Sequence, residues 1–386
     1  MRRTRLDVVP YGSTQCGPAW NISPSHPGED RTHEHASASS HRRRSAGMTL
    51  TQLRSFVAIV DCGHNVTLAA QRLHATQSGV SKQLAQLEAA LGMSLFVRRA
   101  RALTGLTEAG AQVLSHARRL LAESANIQAL SDNLRRERHG VLRIATTHTQ
   151  ARHALPPALQ ALKRAWPEVA VHVAPGADDD SLRLLAEGQA DLAILSGTGT
   201  PPPDVIAIPL YRWQRRVLVP RSHPLATTAA PLTLDHLGGL PLVSYDSSRA
   251  AGSSLQRAFA AAGQTAHVGV TARDGDLIRT YVRAGLGVGI LAEMALGDDP
   301  DLLAPPVAPD LLPPCTTWLL LRRDHVLRDF GFALLRVMAP QHAATDLRRC
   351  LDHGQPLPDL VPAWADWRVA IQASSARGVA PRRQAA

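Results

Sequence analysis

The sequence predicts a multidomain protein in which a mainly helical N-terminal part precedes a larger α/β part. The chain of 386 residues is long enough for two or three domains, each with its own core. From Leu50 to Arg138 the apolar residues recur at helical spacing. After Gly140 short apolar runs of strand length alternate with helical stretches, which is typical of a sheet covered by helices.

The composition excludes several classes of protein. Hydrophobic residues make up 45% of the chain and charged residues 19%, as in globular proteins. No apolar stretch approaches the ~20 residues that span a bilayer, and the N-terminus lacks the apolar segment of a secretory signal, so we expect a cytoplasmic protein without a membrane partner. The cysteines are far apart, and Cys62 and His64 have no second pair of ligands nearby, so neither a disulfide framework nor a metal site is expected.

Positive charge is concentrated in the N-terminal part. The net charge is +10, and between Met48 and Gly140 eleven Lys and Arg residues oppose six Asp and Glu residues. This segment is therefore the better candidate for binding a polyanion. Residues 1–47 show no period and are predicted to be a disordered basic tail or an upstream extension, because an organised pattern begins at Met48. The tail either touches DNA phosphates or has no function, and the second interpretation is favoured.

Three short helices are predicted between Leu50 and Leu91. The second covers residues 67–73 with Thr67 as its cap, and three residues separate it from the third, which starts at Gln77. Two short helices joined so tightly form a helix-turn-helix. The third helix carries small polar groups and one cation near its exposed start, which suits insertion into a major groove, whereas an ordinary helical pair would not need such a face. The candidate base-reading residues are Gln77, Ser78, Ser81 and Lys82.

A wing and a long linker helix are predicted next. The hairpin after residue 95 completes a DNA-binding domain of residues 48–106, and its cations Arg98, Arg99 and Arg101 are expected to reach phosphates or the minor groove. A helix capped by Thr107 is expected over residues 107–139. Its apolar positions step by 4 and 3 like a coiled-coil seam, for which a second copy of the chain is the simplest partner. The seam residues are Val113, Ala117, Leu120, Ser124, Ile127, Ser131 and Leu134.

The α/β part, residues 140–340, is predicted to form two lobes around a cleft. Its pattern implies a mostly parallel sheet with ligands at the carboxyl ends of strands. A break near Pro209 divides it into a first lobe of residues 140–208 and 312–340 and a second lobe of residues 209–311. The periodicity then fades, and residues 341–386 are expected to be a weakly ordered tail. The candidate strands are residues 141–145, 169–173, 191–195, 216–219, 242–245 and 287–291.

A polar cluster, TTHTQARHALP at residues 146–156, follows the first of these strands. A helix N-terminus exposes unpaired N–H groups and carries about half a positive charge. With the hydroxyls of Thr147 and Thr149 and the Gln150 amide, it suits a small divalent anion. The Trp213 ring N–H is expected to add a donor from the opposite lobe. The alternative is that Thr149 only caps the helix and Trp213 only packs.

The sequence contains no recognisable catalytic set. Ser244 and Ser247 lack the context of a nucleophile elbow, and no Gly-rich phosphate loop with Lys occurs. The run Gly285-Leu-Gly-Val-Gly fails the dinucleotide spacing and more simply lets a strand approach a helix closely. We therefore expect no enzyme, no catalytic residue and no cofactor.

The order of these parts resembles that of the LysR-type transcriptional regulators. Residues 69–88, AAQRLHATQSGVSKQLAQLE, are similar to the DNA-reading signature of that family. FVRR at 96–99 and LTEAG at 106–110 are similar to its wing and linker start, and GLGVGI at 285–290 resembles its effector domain. The likeness covers residues 48–340. It implies an all-α winged helix-turn-helix plus an α/β two-lobed, periplasmic-binding-protein-like effector domain.

Within the family the sequence is most similar to the CysB branch, which regulates sulfur assimilation and cysteine biosynthesis. The segments that carry the similarity are residues 144–156, 211–213, 223–226 and 278–287. Proteins of this branch bind sulfate, acetylserine or related sulfur metabolites between the lobes. The small-molecule effector contacts that the resemblance implies here are Thr147, Thr149, Gln150, Ser196 and Trp213.

The resemblance implies a homodimer or homotetramer that binds double-stranded promoter DNA, RNA polymerase and a small anionic effector. One departure leaves the effector open, because Ala250 and Ala251 stand where the branch usually has Thr-Gly beside Arg-Ser. A LysR-type regulator that senses an organic sulfonate or an unrelated carboxylate is therefore the alternative. A transport binding protein or an enzyme on the same scaffold is disfavoured by the missing export signal, the attached winged helix and the missing catalytic residues.

Overall fold

The computed structural model describes residues 47–100, 102–357 and 367–376. The predicted basic tail lies outside these ranges except for its last residue. The N-terminal domain consists of α1 (Leu50–Asp61), α2 (Val66–Arg72), α3 (Gln77–Leu91) and an antiparallel hairpin of β1 (Phe96–Arg99) and β2 (Ala102–Leu106). The predicted winged helix-turn-helix is thereby confirmed.

Polar caps fix the starts of the first three helices. Thr49 caps α1 with a reciprocal bond to Gln52, and the Thr76 hydroxyl caps α3. The side chain of Asn65, and not that of Thr67 as predicted, caps α2. The helix begins one residue earlier than expected, and an Asx side chain just before a helix is among the strongest caps.

Helix α4 (Glu108–Leu134) connects this domain to the rest of the chain. Thr107 caps it as predicted by accepting a hydrogen bond from the Gly110 N–H. A Cβ on Gly110 would lie 2.0 Å from the Leu95 carbonyl oxygen, so only glycine allows the helix to pass so close to the wing. The helix ends at Leu134, short of residue 139, and the chain turns at Arg136, where φ is 56°.

The predicted seam of α4 is buried at one end and exposed at the other. Ala117 is 1% exposed in the core of the N-terminal domain. Farther along, Leu120, Ile127 and Leu134 are 46%, 65% and 76% exposed. Exposed apolar side chains at this spacing form a continuous strip on one side of the helix. We call Leu120, Ile127, Leu130 and Leu134 the linker strip.

The elements after Gly140 alternate between strand and helix. The strands are β3 (Gly140–Thr146), β4 (Val169–Pro175), β5 (Leu192–Gly197), β6 (Val205–Trp213), β7 (Arg215–Pro220), β8 (Leu242–Tyr245), β9 (Val268–Ala272), β10 (Val288–Ala292), β11 (Leu302–Leu303) and β12 (Cys315–Arg322). The helices are α5 (His148–His153), α6 (Leu155–Ala165), α7 (Asp178–Ala186), α8 (Leu234–Leu237), α9 (Ser254–Ala261), α10 (Gly275–Arg283), α11 (Asp329–Met338), α12 (Ala344–His353) and α13 (Trp367–Ala376).

Two five-stranded sheets form the two lobes. The strand order is β4-β3-β5-β12-β6 in the first and β11-β7-β10-β8-β9 in the second. β3 is parallel to β4 and β5, and β8 is parallel to β9 and β10. β12 and β7 are antiparallel to their neighbours, and each is the strand that arrives from the other lobe. The predicted two-lobed α/β fold is confirmed.

The chain changes lobe at Gln214 instead of near Pro209. β6 continues through Pro209 to Trp213 while paired with β12, and β7 then begins in the other sheet. A proline cannot donate to a ladder, but β6 is an edge strand and the register of its ladder shifts beside Pro209. The proline therefore marks a local irregularity within the strand, and the first lobe extends to Trp213.

The C-terminal segment forms helices where a weakly ordered tail was expected. Leu347 and Cys350 of α12 are 0% and 7% exposed, and α13 packs against α6. Before them, the Gln341 amide donates to the Pro209 carbonyl at 2.7 Å. The expectation is therefore wrong for residues 344–353 and 367–376, while residues 358–366 and 377–386 lie outside the described ranges. Among the described helices none is both long and apolar enough to cross a bilayer.

Candidate DNA-binding and effector sites

The predicted base-reading residues share the outer face of α3. All four are exposed, while Val80, Leu84 and Leu87 on the opposite face are buried. The Ser78 hydroxyl lies 3.3 Å from the Thr76 hydroxyl that caps the helix. The polar face therefore lies at the positive end of the helix dipole. These four residues are Gln77, Ser78, Ser81 and Lys82.

The wing places two cations beside this helix. Arg98 and Arg99 are exposed on β1. Arg98 also forms an ion pair with Glu88 at the end of α3, 2.8 Å away, and the same carboxylate accepts a hydrogen bond from the Leu95 N–H. Glu88 thus fixes the wing relative to the recognition helix. Arg101, the third predicted cation, lies outside the described residues.

A buried hydrogen-bond network in the first lobe is centred on Gln150. The side chain is 1% exposed, and its amide nitrogen donates to Ser196 Oγ at 3.0 Å. Its amide oxygen accepts from the Tyr211 hydroxyl. Burial raises the pKa of Tyr211, so this phenol stays a donor at neutral pH. The amide orientation is thereby fixed, and α5 is held against the ends of β5 and β6.

Trp213 belongs to this network and therefore to the first lobe. Its ring N–H donates to Thr317 Oγ1 at 3.1 Å and to Ser196 Oγ at 3.3 Å, and the two hydroxyls lie 2.8 Å apart. The expectation that Trp213 adds a donor from the opposite lobe is wrong, because β6 runs four residues beyond Pro209. Thr317 and Tyr211 are the network members that the predicted effector set lacks. The partner of Thr317, Ser196, is 121 residues away along the chain.

The two lobes contact each other through α5. The Thr149 hydroxyl lies 3.4 Å from the hydroxyl of Tyr245, which ends β8 in the second lobe. The Tyr245 hydroxyl also accepts from the Ala292 N–H at 3.2 Å. Burial raises the pKa of Tyr245, against smaller opposing effects of these hydrogen bonds. A second contact is the ion pair between Arg152 of α5 and Asp276 of α10.

The predicted effector residues therefore converge at the junction of the lobes. Thr147 caps α5 by accepting from the Gln150 N–H, and Thr149, two residues further along the chain, is 8% exposed. Gln150, Ser196 and Trp213 line the same end of the first sheet. The side-chain donors of Gln150 and Trp213 are engaged within the lobe. The hydroxyls of Thr147, Thr149 and Ser196 also form hydrogen bonds, but a hydroxyl can rotate and exchange one hydrogen-bond partner for another.

Two charged residues that the sequence analysis did not select, Arg215 and Asp178, have partly buried side chains. Arg215 begins β7 immediately after the change of lobe, and Asp178 is the first residue of α7 in the first lobe. Burial, and secondly the neighbouring Asp179, raise the pKa of Asp178 to about 6. Neither residue belongs to a recognisable motif, so only the fold could bring them to attention.

Comparison with known proteins identifies the family. Residues 50–111 match the bacterial regulatory helix-turn-helix protein of the lysR family, and residues 135–339 match the LysR substrate binding domain. The chain belongs to the LysR family of transcriptional regulators. The expectation that it is not an enzyme is thereby confirmed, and the helix-turn-helix domain implies DNA binding.

Several members of the family are similar along most of the chain. The HTH-type transcriptional regulator cbl of Escherichia coli (strain K12) is 36% identical over 303 residues, which cover 78% of this chain and 96% of that protein. The HTH-type transcriptional regulator CysB of Haemophilus influenzae is 39% identical over 294 residues, 76% of this chain and 90% of that protein. These identities confirm the predicted relation to the CysB branch of LysR-type regulators.

A solved structure supports the effector domain. The crystal structure of the cofactor-binding domain of the Cbl transcriptional regulator is 34% identical to this chain, with a TM-score of 0.52. The matched region covers 56% of this chain and 95% of the chain in that crystal structure. That structure is described as a domain that binds a cofactor, which agrees with a ligand-binding role for the LysR substrate binding domain.

Proposed function

We propose that this LysR-type regulator controls sulfur assimilation genes in response to sulfate, acetylserine or a related small anion bound between the two lobes. One observation carries the proposal. The five residues that the CysB-branch resemblance assigns to the effector lie in one hydrogen-bonded region, and Thr149 of that region contacts the second lobe at Tyr245. A ligand there would touch both lobes at once.

The region is suited to a small oxyanion. Hydroxyls donate or accept by rotation, so Thr147, Thr149 and Ser196 can point their hydrogens at anionic oxygens. Gln150 and Trp213 would then contribute mainly by holding Ser196 in place. An anion that takes the Thr149 hydroxyl replaces its 3.4 Å contact with Tyr245, so binding alters a contact between the lobes. That change can be relayed to the rest of the molecule.

The DNA-binding part of the proposal assigns base contacts to α3 and phosphate contacts to the wing. The α3 residues Gln77, Ser78, Ser81 and Lys82 would enter a major groove, and Arg98, Arg99 and Arg101 would neutralise phosphates. Two copies joined along the linker strip, as a homodimer or in a homotetramer, would present two recognition helices to two half-sites. RNA polymerase would be the further partner in a cytoplasmic setting.

The regulatory step would be a shift between populations. A ligand that binds one arrangement of the lobes better than another favours that arrangement, and a coupling of about 1–3 kcal/mol between the two sites changes the affinity for the promoter about five- to 150-fold. The pairing of dimers and the angle by which they bend the promoter would then depend on the arrangement of the lobes.

Calorimetry with the full-length protein tests the effector. Sulfate, thiosulfate, O-acetylserine and organic sulfonates would be titrated into the wild type, Thr149→Val and the surface control Thr227→Val. We expect at least one ligand to bind the wild type and the control, and to bind Thr149→Val about tenfold more weakly because a hydrogen bond to a charged group is removed. If none of the four ligands binds the wild type, sulfur sensing is ruled out. If a ligand binds Thr149→Val as tightly as the wild type, this site is ruled out.

A second candidate function keeps the regulator and changes the effector to an organic sulfonate or an unrelated carboxylate. The observation that favours it is that exposed Ala250 and Ala251 follow the Asp246–Arg249 turn, so their side chains offer no hydroxyl or amide to a ligand. The same titration distinguishes the two candidate effectors. Tight binding of an organic sulfonate without binding of sulfate would favour the sulfonate sensor.

A further inference from the structure

Helix α13 is fixed to the first lobe by two apolar side chains. It packs against α6, α11 and β6, all of which belong to that lobe. Trp367 and Ile371, one helical turn apart, are partly buried and pack against the main hydrophobic core. The match to the LysR substrate binding domain ends at residue 339, and both sheets are complete before α13 begins. The helix is therefore added to a domain whose two lobes are already formed.

Arg368, next to the first of these apolar residues, reaches the second lobe. Its Nη1 lies 3.6 Å from Oε2 of Glu293, which starts a short 3-10 turn after β10. The Glu293 side chain is 10% exposed, and among the described residues Arg368 is its only ion-pair partner. A carboxylate that is mostly removed from water is unfavourable without such a partner. The ion pair therefore joins α13 to the second lobe.

Glu293 is also bonded to the point where the chain changes lobe. Its Oε1 accepts from the Gln214 N–H at 2.8 Å, and its own N–H donates to the Gln214 carbonyl at 3.0 Å. Gln214 is the single residue between β6 and β7, and we call it the Gln214 connection. Rotation of one lobe against the other requires backbone angles to change at such a connection. Arg368 thus pairs with the side chain that holds this connection.

The bridge made by Arg368 is oriented by a ring and is partly open to solvent. The guanidinium lies 4.8 Å from the centroid of the Trp367 ring, and that ring packs against the core. The Arg368 side chain is 55% exposed. An ion pair with one exposed partner is weakened by salt and contributes modestly to stability. The bridge can therefore break without unfolding either lobe.

We propose that α13 is a C-terminal strap that restrains the movement of the two lobes. Trp367 and Ile371 fix it to the first lobe, and Arg368 holds the Gln214 connection through Glu293. A contact that is intact in one arrangement of the lobes and broken in another contributes to the free-energy difference between the two arrangements. The strap is thus a part of the chain that sets how readily the effector domain changes its arrangement, whichever ligand it binds.

Hydrogen exchange of the full-length protein, measured by mass spectrometry at about 50 mM salt, tests the strap. Arg368→Ala should raise the exchange rate of the Gln214 and Glu293 amides about two- to fivefold, the scale of a partly exposed ion pair. Exchange in α6 should stay as in the wild type, because the apolar residues still anchor α13. Val369→Ala, an exposed position on the same helix, is the control and should change neither. Unchanged exchange at the Gln214 connection, or an equal rise in α6, overturns the inference.

Salt distinguishes a charged bridge from simple packing. At about 0.5 M salt the wild-type ion pair is screened, so the difference between Arg368→Ala and the wild type should fall to about 1.5-fold or less. A difference that persists in full at high salt would show that the Arg368 side chain acts by packing. That result would overturn the ion-pair bridge.

A double-mutant cycle tests whether Glu293 is the partner through which Arg368 acts. Glu293→Gln keeps an oxygen that can accept from the Gln214 N–H but removes the charge. In that background Arg368→Ala should change the exchange rate by less than about 1.5-fold, because the effects of interacting residues are not additive. If the two substitutions act independently in variants that thermal unfolding shows to be folded, the strap does not hold the Gln214 connection and the inference fails.

Discussion

Arg118 of the linker helix lies 2.7 Å from the carboxylate of Asp61 at the end of α1. A second nitrogen of the same guanidinium lies 2.5 Å from Glu187 at the end of α7 in the first lobe. The Asp61 and Glu187 side chains are 10% and 17% exposed, so the charges interact in a partly desolvated setting. One side chain of the linker therefore connects the DNA-binding domain directly with the effector domain.

Two asparagines extend the connection along α4. Asn126 donates to the Asp324 carbonyl and accepts from the Val326 N–H at 3.0 Å. Asn133, two turns on, donates to the Leu327 carbonyl at 3.0 Å. Because the linker is bonded to the first lobe at several points, a movement of that lobe relative to the second would also move α4.

Replacing Arg118 with alanine should weaken both stability and coupling. Asp61 and Glu187 would be left partly buried without their cation, which we expect to lower the free energy of unfolding by about 2 kcal/mol, less than for a fully buried pair. Urea unfolding measures this. The change in promoter affinity on adding effector should shrink in the same variant. The matched control is Arg119→Ala, because the Arg119 side chain at the next position is exposed. An equal loss of stability in that control would contradict a specific role for Arg118.

A charge in the linker strip should dissociate the dimer that we propose for this chain. Ile127 is 65% exposed in the single chain, and in a symmetric dimer it would be buried twice. Ile127→Glu should therefore raise the dissociation constant by at least about 100-fold. Sedimentation velocity over a range of concentrations measures it. The control is Gln112→Glu, which adds a charge elsewhere on the same helix. If both variants have the same dissociation constant, the linker strip is not the interface.

The groove assignment predicts a change in salt dependence. Lys82→Ala and Arg98→Ala should each weaken promoter binding and reduce the slope of log affinity against log salt by about 1 for every phosphate that is no longer neutralised. Gel shifts at several salt concentrations give both quantities. Arg164→Ala, an exposed cation on α6, should change neither. Unaltered affinity and slope in both test variants would refute the assignment of α3 and the wing.

Local signals in the sequence predict the elements of the DNA-binding domain, apart from the cap of α2, which is Asn65 and not Thr67. The apolar stripe Val80, Leu84 and Leu87 and the cap Thr107 depend on residues three or four positions apart, and the structure agrees with both. The polar cluster after β3 was also correctly located at a helix start, because capping is a local property.

Long-range pairing could not be predicted from local signals. Pro209 suggested a strand end because proline is rare in central strands, but only the sheet order reveals that β6 is an edge. Thr317 joins the effector region through pairing of β12 with β5, which no spacing in the sequence encodes. Helix α12 has too few apolar residues for its period to be noticed before its partners are known.

The carboxyl group of Asp178 should make stability depend on pH. Its ordinary pKa is 3.8, and burial raises it to about 6 in the folded protein. Between these values the folded state holds a proton that the unfolded state has released, so stability falls as pH rises from about 4 to about 6 and is then level. The difference corresponds to about 3 kcal/mol. Asp178→Asn cannot ionise and should therefore be more stable than the wild type above pH 7, by up to that amount, and nearly equal to it at pH 4. Urea unfolding at both pH values measures the effect, with exposed Asp180→Asn as the control. A gain that is the same at both pH values would show that side-chain packing, and not an unfavourable buried charge, accounts for the change.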